Sequence, residues 1–104
     1  MILAIDFDHT IADTANPVPG RRMGPPTEGA KEALERMTEL GHNIIVFCYW
    51  ADSPRNIETI AKWMDYYQIP FNQITNIKPK ASFYIDNNAL RFTGDWGEIM
   101  EEIV

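Results

Sequence analysis

The sequence has little cysteine, little basic charge and no long apolar run. Cys48 is the one cysteine among 104 residues, which excludes an internal disulfide and fits a reducing compartment. Lys and Arg number 9 against 15 Asp and Glu, for a net charge of −6, which argues against general nucleic-acid binding through a basic surface. The apolar start ends at Asp6, too early for a signal peptide or for a membrane span of about 20 residues. We therefore expect a cytoplasmic protein that does not associate with membranes.

Length and composition indicate one globular domain over residues 1–104. The chain is 45% hydrophobic and 23% charged, which suits a single modest core. It has no room for a second domain that could close over a site. Any site must therefore be an open cleft or one completed by another chain, and a homo-oligomer is one possible arrangement.

Short apolar runs alternate with helical patterns along the chain. Residues 2–7, 43–48 and 82–85 predict strands, with a further short strand at 74–77. The first three runs are continuously apolar, which is typical of a parallel sheet that is covered on both faces. The alternation of strands and helices predicts an α/β fold, a three-layer Rossmann-like parallel sheet flanked by helices.

Three helices are predicted between and after these strands. Thr27 is the expected N-cap of the first, which ends at Gly41, and its buried stripe comprises Ala30, Ala33, Leu34, Met37 and Leu40. Ser53 and Pro54 begin the second, whose stripe comprises Ile57, Ile60, Ala61, Met64 and Tyr67. The third covers residues 96–103.

A long irregular loop, residues 12–26, precedes the first predicted helix. It holds four of the seven prolines together with Gly20 and Gly24. A loop of this length in a small domain is often functional. Arg21 and Arg22 could meet an anionic substrate there, although a solvated loop is the preferred interpretation.

Acidic side chains follow two of the predicted strands. Asp6 and Asp8 come at the end of the first strand and Asp86 directly after 82–85. Because ligands gather at the carboxyl ends of parallel strands, these three carboxylates are expected to converge if the strands are neighbours. A hard cation such as Mg²⁺ prefers oxygen ligands and would offset their charge. Lys78 and Lys80 supply a counter-charge that could hold a phosphoryl oxygen; alternatively, each Asp is only a cap or turn residue.

Four motifs in order carry a family resemblance. They are Asp6-Phe7-Asp8-His9-Thr10, the apolar residues 44–47 before Cys48, the lysine of Lys78-Pro79-Lys80, and Tyr84-Ile85-Asp86-Asn87. Together they resemble the haloacid dehalogenase-like (HAD) phosphohydrolases over nearly the whole chain. The resemblance implies an HAD-like fold. No cap domain fits between the motifs, so the 12–26 loop is at most a small flap.

The resemblance also implies a chemistry, a Mg²⁺-dependent phosphatase acting on phosphomonoesters. Asp6 is the expected nucleophile that forms an aspartyl-phosphate, Asp8 the general acid and base, and Lys78 the lysine that holds nucleophile and phosphate. The side chains of Asp6 and Asp86 and the backbone carbonyl of Asp8 are the expected metal ligands. Expected contributors to substrate and phosphate binding are Thr10, Cys48, Tyr49 and Lys80.

The chain departs from the family pattern at three positions. Cys48 stands where a hydroxyl normally binds phosphate, Asn87 replaces a second acid, and Trp50 stands where small relatives often have Arg. These changes leave open a second hypothesis, a regulatory relative that binds phosphate or Mg²⁺ without turnover. A phospho-acceptor receiver domain is a third, although its acceptor Asp would lie at the end of a later strand.

Overall fold

A computed structural model describes residues 1–15 and 23–104, which form a four-stranded parallel sheet with three helices. In chain order the elements are β1 (Ile2–Asp6), α1 (Ala30–Glu39), β2 (Asn43–Phe47), α2 (Pro54–Tyr66), β3 (Gln73–Thr75), β4 (Phe83–Ile85) and α3 (Trp96–Ile103). The strand order is β3-β2-β1-β4, so β1 lies between β2 and β4. The predicted fold class, a Rossmann-like parallel sheet flanked by helices without a cap domain, is confirmed over the described residues.

The main hydrophobic core lies on one face of the sheet. Side chains alternate along a strand, so Leu3, Ile5 and their register partners Ile44 and Val46 share a face. They form one buried cluster with Leu34 of α1 and with Ile60, Trp63 and Met64 of α2. On the opposite face Ala4 and Asp6 line an open groove. Helices α1 and α2 therefore cover the sheet from one side.

The expected burial of the apolar strands holds for β1 and β2 but is wrong for β4. Leu3, Ala4 and Ile5 are all buried, as is the run from Ile44 to Val46. In β4, by contrast, Phe83, Tyr84 and Ile85 are each more than a third exposed. The apolar composition of β4 is therefore not explained by burial among residues 1–15 and 23–104.

Helix α2 begins as predicted, whereas α1 does not. Ser53 is the N-cap of α2 and its hydroxyl accepts a hydrogen bond from Asn56 N at 3.1 Å, with Pro54 as the first helical residue. Helix α1 starts at Ala30 after Gly29, whose φ of 84° favours glycine. The hydroxyl of Thr27, the predicted cap, donates instead to the Thr10 carbonyl at 2.6 Å. Thr27 therefore ties the helix entrance to the end of the β1 turn.

Several boundaries and buried positions differ from prediction by small amounts. β1 and β2 end, and β4 begins, one residue inside the predicted strands, and β3 covers Gln73–Thr75 rather than 74–77. Ala33, Leu40 and Ile57 were expected in buried stripes but are exposed. Leu40 lies at the C-cap of α1, where the chain turns away from the core. The predicted bounds of α3 agree with the structure.

The two described ends of the 12–26 loop are held together by backbone hydrogen bonds. Asp13 N donates to Pro25 O at 2.8 Å and Gly24 N donates to Asp13 O at 3.1 Å. The indole of Trp63 on α2 donates to Gly24 O at 3.0 Å and so fixes this base to the core. Arg21 and Arg22, the candidate substrate contacts, lie outside the described residues. Among the described residues no helix is long and apolar enough to cross a membrane.

Candidate functional site

The central residue of the candidate site is Asp6, the last residue of β1. Ile5 pairs with Ile85 of β4, so the next residues, Asp6 and Asp86, leave the sheet side by side. The pKa of Asp6 is raised from an ordinary 3.8 to about 6. Burial is the largest cause, and the negative charges of Asp86 and Asp8 contribute to the same increase in pKa. A hydrogen bond from Thr10 acts in the opposite direction. The site thus holds crowded carboxylates on neighbouring strands.

A tight turn after β1 brings Thr10 back to Asp6. The carbonyl of Phe7 accepts from the backbone N–H groups of Thr10, Ile11 and Ala12 at 3.0–3.3 Å. His9 has a φ of 63°, a left-handed conformation uncommon for a residue other than glycine. The turn reverses the chain direction over a few residues and places the Thr10 hydroxyl beside the carboxylate of Asp6.

The Thr10 hydroxyl links β1 to the segment after β4. It lies 3.2 Å from Asp6 Oδ2 and 3.2 Å from Asn87 Oδ1, and it accepts a hydrogen bond of 3.2 Å from Asn87 N. A hydroxyl has one proton to donate, so the two oxygens compete for it. Donation to an ionised Asp6 is the stronger, charge-assisted choice. Thr10 therefore supports the nucleophile candidate rather than Asp8, and Asn87 supports Thr10.

Asp8 is held by two donors from the segment after β2. Trp50 Nε1 donates to Asp8 Oδ2 at 2.9 Å, and Cys48 Sγ lies 3.7 Å from the same oxygen. Trp50 is 5% exposed and packs edge-on to Phe7, with ring centroids 6.2 Å apart. Its indole is thus fixed by the core while its N–H points at Asp8. The sequence did not indicate this contact, although the pairing of Asp6 with Phe47 places the two segments at the same end of the sheet.

Two cavities meet at Asp6. The first, here called the β4 groove, has a volume of about 540 Å³ and is lined by Asp6, Phe47, Lys78, Tyr84, Asp86 and Arg91 among others. The second, the Asp8 cavity, has a volume of about 330 Å³ and is lined by Asp6, Asp8, His9, Thr14, Tyr49 and Trp50 among others. Asp6 lines both. A substrate in either cavity could therefore meet the same carboxylate.

Of the predicted basic and substrate-binding residues, Lys78 and Tyr49 line a cavity and Lys80 does not. Lys78 lines the β4 groove with its ammonium 4.7 Å from the centroid of the Tyr84 ring, and Tyr49 lines the Asp8 cavity with its side chain exposed. Lys80 lines neither cavity. Among the described residues the ion pairs within 4.0 Å lie on α1 and α2, so Lys78 makes no direct pair with Asp6.

Cys48, an expected contributor to phosphate binding, is a buried neighbour of Asp8. It is 1% exposed and lines neither cavity. Burial, with the charge of Asp8 as a smaller contribution, raises the pKa of its thiol to about 12. A thiol in this position is a weak donor to Asp8 and an unreactive one.

The predicted metal ligands fit a cation through a mixed donor set. Over residues 1–15 and 23–104, no group of three or more His, Cys, Asp or Glu side chains is arranged to hold a metal ion. The expected ligands include only two side chains, Asp6 and Asp86, since Asp8 is expected to contribute its backbone carbonyl. Two carboxylates on neighbouring strands and a backbone carbonyl are the oxygen donors that suit Mg²⁺.

Comparison with solved structures finds two similar chains. One is a conserved protein from Bacteroides thetaiotaomicron, 24% identical, matched over 99% of this chain and 88% of that chain with a TM-score of 0.69. The other is the crystal structure of a structural-genomics target from Vibrio cholerae, 28% identical, matched over 96% and 94% with a TM-score of 0.58. Comparisons with protein-family models and with curated proteins find no match. The likeness to the first protein supports the fold.

Proposed function

We propose that this protein is a Mg²⁺-dependent phosphatase of the haloacid dehalogenase-like type that hydrolyses phosphomonoesters. The observation that carries the proposal is the setting of Asp6. It is a partly buried carboxylate between two cavities, with Asp86 beside it on the neighbouring strand and Asp8 two residues on. Asp6, Lys78 and Asp86, from the first, third and fourth motifs, line one groove, and Cys48 of the second motif contacts Asp8.

In the first step an Asp6 carboxylate oxygen attacks the phosphorus, and the bond from phosphorus to the leaving oxygen breaks. Asp8 gives that oxygen a proton, and an aspartyl-phosphate remains on Asp6. Because Asp8 Oδ2 is engaged by the Trp50 N–H and the Cys48 thiol, the proton is carried on Oδ1. In the second step Asp8 takes a proton from water, whose oxygen attacks the phosphorus and releases phosphate and Asp6.

The remaining residues bind and orient. Lys78 lines the β4 groove, as does Arg91, and is the cation proposed to bind a phosphoryl oxygen, while Thr10 holds the Asp6 carboxylate. Asp6, Asp86 and the Asp8 carbonyl would hold Mg²⁺. When bound, the ion would reduce the repulsion between carboxylate and phosphate and stabilise charge in the transition state.

The test is release of phosphate from an aryl phosphate with and without Mg²⁺, for the wild type, Asp6→Asn and Asp65→Asn. Asp65 is an exposed acid on α2, so its variant controls for the loss of one negative charge. We expect Asp6→Asn to lower kcat/KM by about 10³-fold or more and Asp65→Asn to change it less than about twofold. Equal activity of Asp6→Asn and wild type, or full activity in EDTA, contradicts the proposal.

A second candidate function is phosphate or Mg²⁺ binding without turnover. It is favoured by the position of Cys48, whose buried thiol is turned toward Asp8 at the place where the family has a phosphate-binding hydroxyl. Calorimetric binding of Mg²⁺ with no phosphate released from a broad panel of phosphorylated sugars, nucleotides and peptides would establish it in place of the phosphatase.

A further inference from the structure

The C-terminal quarter of the chain exposes an apolar surface that nothing in the described structure covers. Its large apolar side chains are each more than a third exposed: Phe83, Tyr84, Ile85, Leu90, Phe92, Trp96, Met100 and Ile103. Scattered exposed apolar residues are ordinary, but eight large ones within residues 83–103 indicate a contact surface. Both the β4 groove and helix α3 belong to it.

Helix α3 has its own N-cap but packs on no other described helix or strand. Asp95 is its N-cap and accepts a hydrogen bond of 2.8 Å from Gly97 N. No Cα atom of α3 lies within 8 Å of a Cα atom of another described helix or strand. An isolated helix shorter than about 12–15 residues is marginal in water, and α3 has 8. The helix therefore needs another surface to pack on.

The exposed area has the size of a protein interface. The chain exposes 7081 Å², whereas a compact monomer of 12.0 kDa exposes about 6,000 Å². Its radius of gyration is 14.7 Å, against about 13 Å for a compact domain of this length. The excess of roughly 1,100 Å² matches the roughly 800 Å² or more that each partner buries in a stable complex.

Charged residues lie on both uncovered surfaces. Lys78 and Arg91 line the β4 groove together with Asp6 and Asp86, and Lys80 lies in the segment that leads into β4. Helix α3 and its cap carry only acids, namely Asp95, Glu98, Glu101 and Glu102. Opposite charges across a contact favour the pairing and fix its register, so the acids of α3 are expected to meet Lys78 and Arg91 rather than the carboxylates of the groove. One chain thus supplies both an apolar groove with two cations and an acidic apolar helix.

We propose that a second copy of this chain covers the β4 groove, with α3 of each copy packed in the groove of the other. Such an exchange is symmetric, since the same two surfaces meet twice across a twofold axis. It buries the apolar residues of β4 and gives α3 its missing support. Because Asp6 and Asp86 line the same groove, the partner's helix also encloses one side of the candidate site. The proposal concerns assembly and stands whether or not the protein is a phosphatase.

The first test is the mass in solution, by sedimentation and by light scattering, of the wild type, Met100→Lys and Leu40→Lys. Met100 and Leu40 are 52% and 55% exposed, so the two changes are matched in exposure and chemistry. We expect a wild-type mass of two chains. Met100→Lys weakens the dimer by at least tenfold because it puts a charged side chain on α3 where the apolar groove would cover it, and Leu40→Lys leaves it unchanged. A monomeric wild type, or equal effects of the two variants, overturns the proposal.

The second test locates the contact by disulfide formation between two singly substituted chains, Tyr84→Cys in the groove and Met100→Cys in α3. Cys48 is 1% exposed and can stay in both. After the two chains are mixed and oxidised, we expect a covalent heterodimer in high yield, and little from Leu40→Cys mixed with Tyr84→Cys. A doubly substituted chain that closes its disulfide only within itself shows that α3 folds onto its own groove, and the proposal then fails.

Discussion

Trp50 Nε1 donates a 2.9 Å hydrogen bond to Oδ2 of Asp8, a residue 42 positions earlier in the chain. The indole is buried against Phe7, so the donor cannot swing away without opening the core. Asp8 is thereby fixed at the end of β1 by the segment after β2. A side chain proposed to give and take a proton is held in one orientation, which is a condition of efficient proton transfer.

Replacement of Trp50 by Phe tests this relationship. The ring keeps most of the packing and loses the N–H, so we expect kcat to fall by about 10–100-fold and the free energy of unfolding by about 1–2 kcal/mol. Trp63→Phe is the matched control, because Trp63 also packs edge-on to Phe7 but donates to Gly24 O. It should lose similar stability and keep its activity. Phosphate release and thermal unfolding of both variants measure the two effects, and parallel losses of activity would assign Trp50 a structural role only.

The features of the fold and site that could be predicted from the sequence are those that depend on residues close together in the chain. The apolar runs at β1 and β2 and the Ser53-Pro54 start of α2 are local patterns, and they predicted their elements to within a residue. The closeness of Asp6 and Asp86 required one further step, the adjacency of β1 and β4, which a parallel sheet makes natural. Local composition and simple topology therefore sufficed for the fold and for this carboxylate pair.

The features that were missed depend on contacts between distant segments. Thr is a common N-cap residue, but the Thr27 hydroxyl donates to the Thr10 carbonyl, 17 positions away in the chain. The N-cap of α1 is Gly29 instead. The partnership of Trp50 and Asp8 depends on the rotamer of a buried indole, which no sequence pattern specifies. The exposure of β4 was not predicted, because an apolar strand indicates burial but does not identify the residues that bury it.

The raised pKa of Asp6 predicts a pH dependence of Mg²⁺ binding. With a folded pKa near 6 against 3.8, the metal-free protein binds a proton at Asp6 more tightly than the unfolded chain does, so this group's contribution to stability falls as pH rises from about 4 to 6 and is constant above. Mg²⁺ must displace that proton. Calorimetric titration should give an affinity that is constant above about pH 7 and falls about tenfold per unit below pH 6. Asp6→Asn should bind more weakly with a flatter profile, and a flat wild-type profile would contradict the assignment of Asp6 as a ligand.

Cys48 is predicted to be unreactive in the native protein. With burial raising its pKa to about 12, only about one thiol in ten thousand is ionised at pH 8, and the side chain is 1% exposed. Iodoacetamide followed by mass spectrometry should show native labelling at least about 10³-fold slower than labelling in guanidinium chloride. Native labelling as fast as that of the unfolded chain would show that the segment holding Asp8 opens readily.

Lys78 and Lys80 differ in their relation to the β4 groove, because Lys78 lines it together with Asp6 and Asp86 and Lys80 does not. Lys78→Met should lower kcat/KM by about 100-fold, because it removes the groove's candidate cation for a phosphoryl oxygen, while Lys80→Met should change it less than about threefold. The loss of the contact between the Lys78 ammonium and the Tyr84 ring should cost only about 0.5–1 kcal/mol of stability, so unfolding separates a binding defect from a folding one. Lys78→Arg should keep part of the activity, since it retains the charge. If Lys80→Met proves the more damaging change, the third-motif lysine is Lys80 and the groove must close further around the substrate than the structure shows.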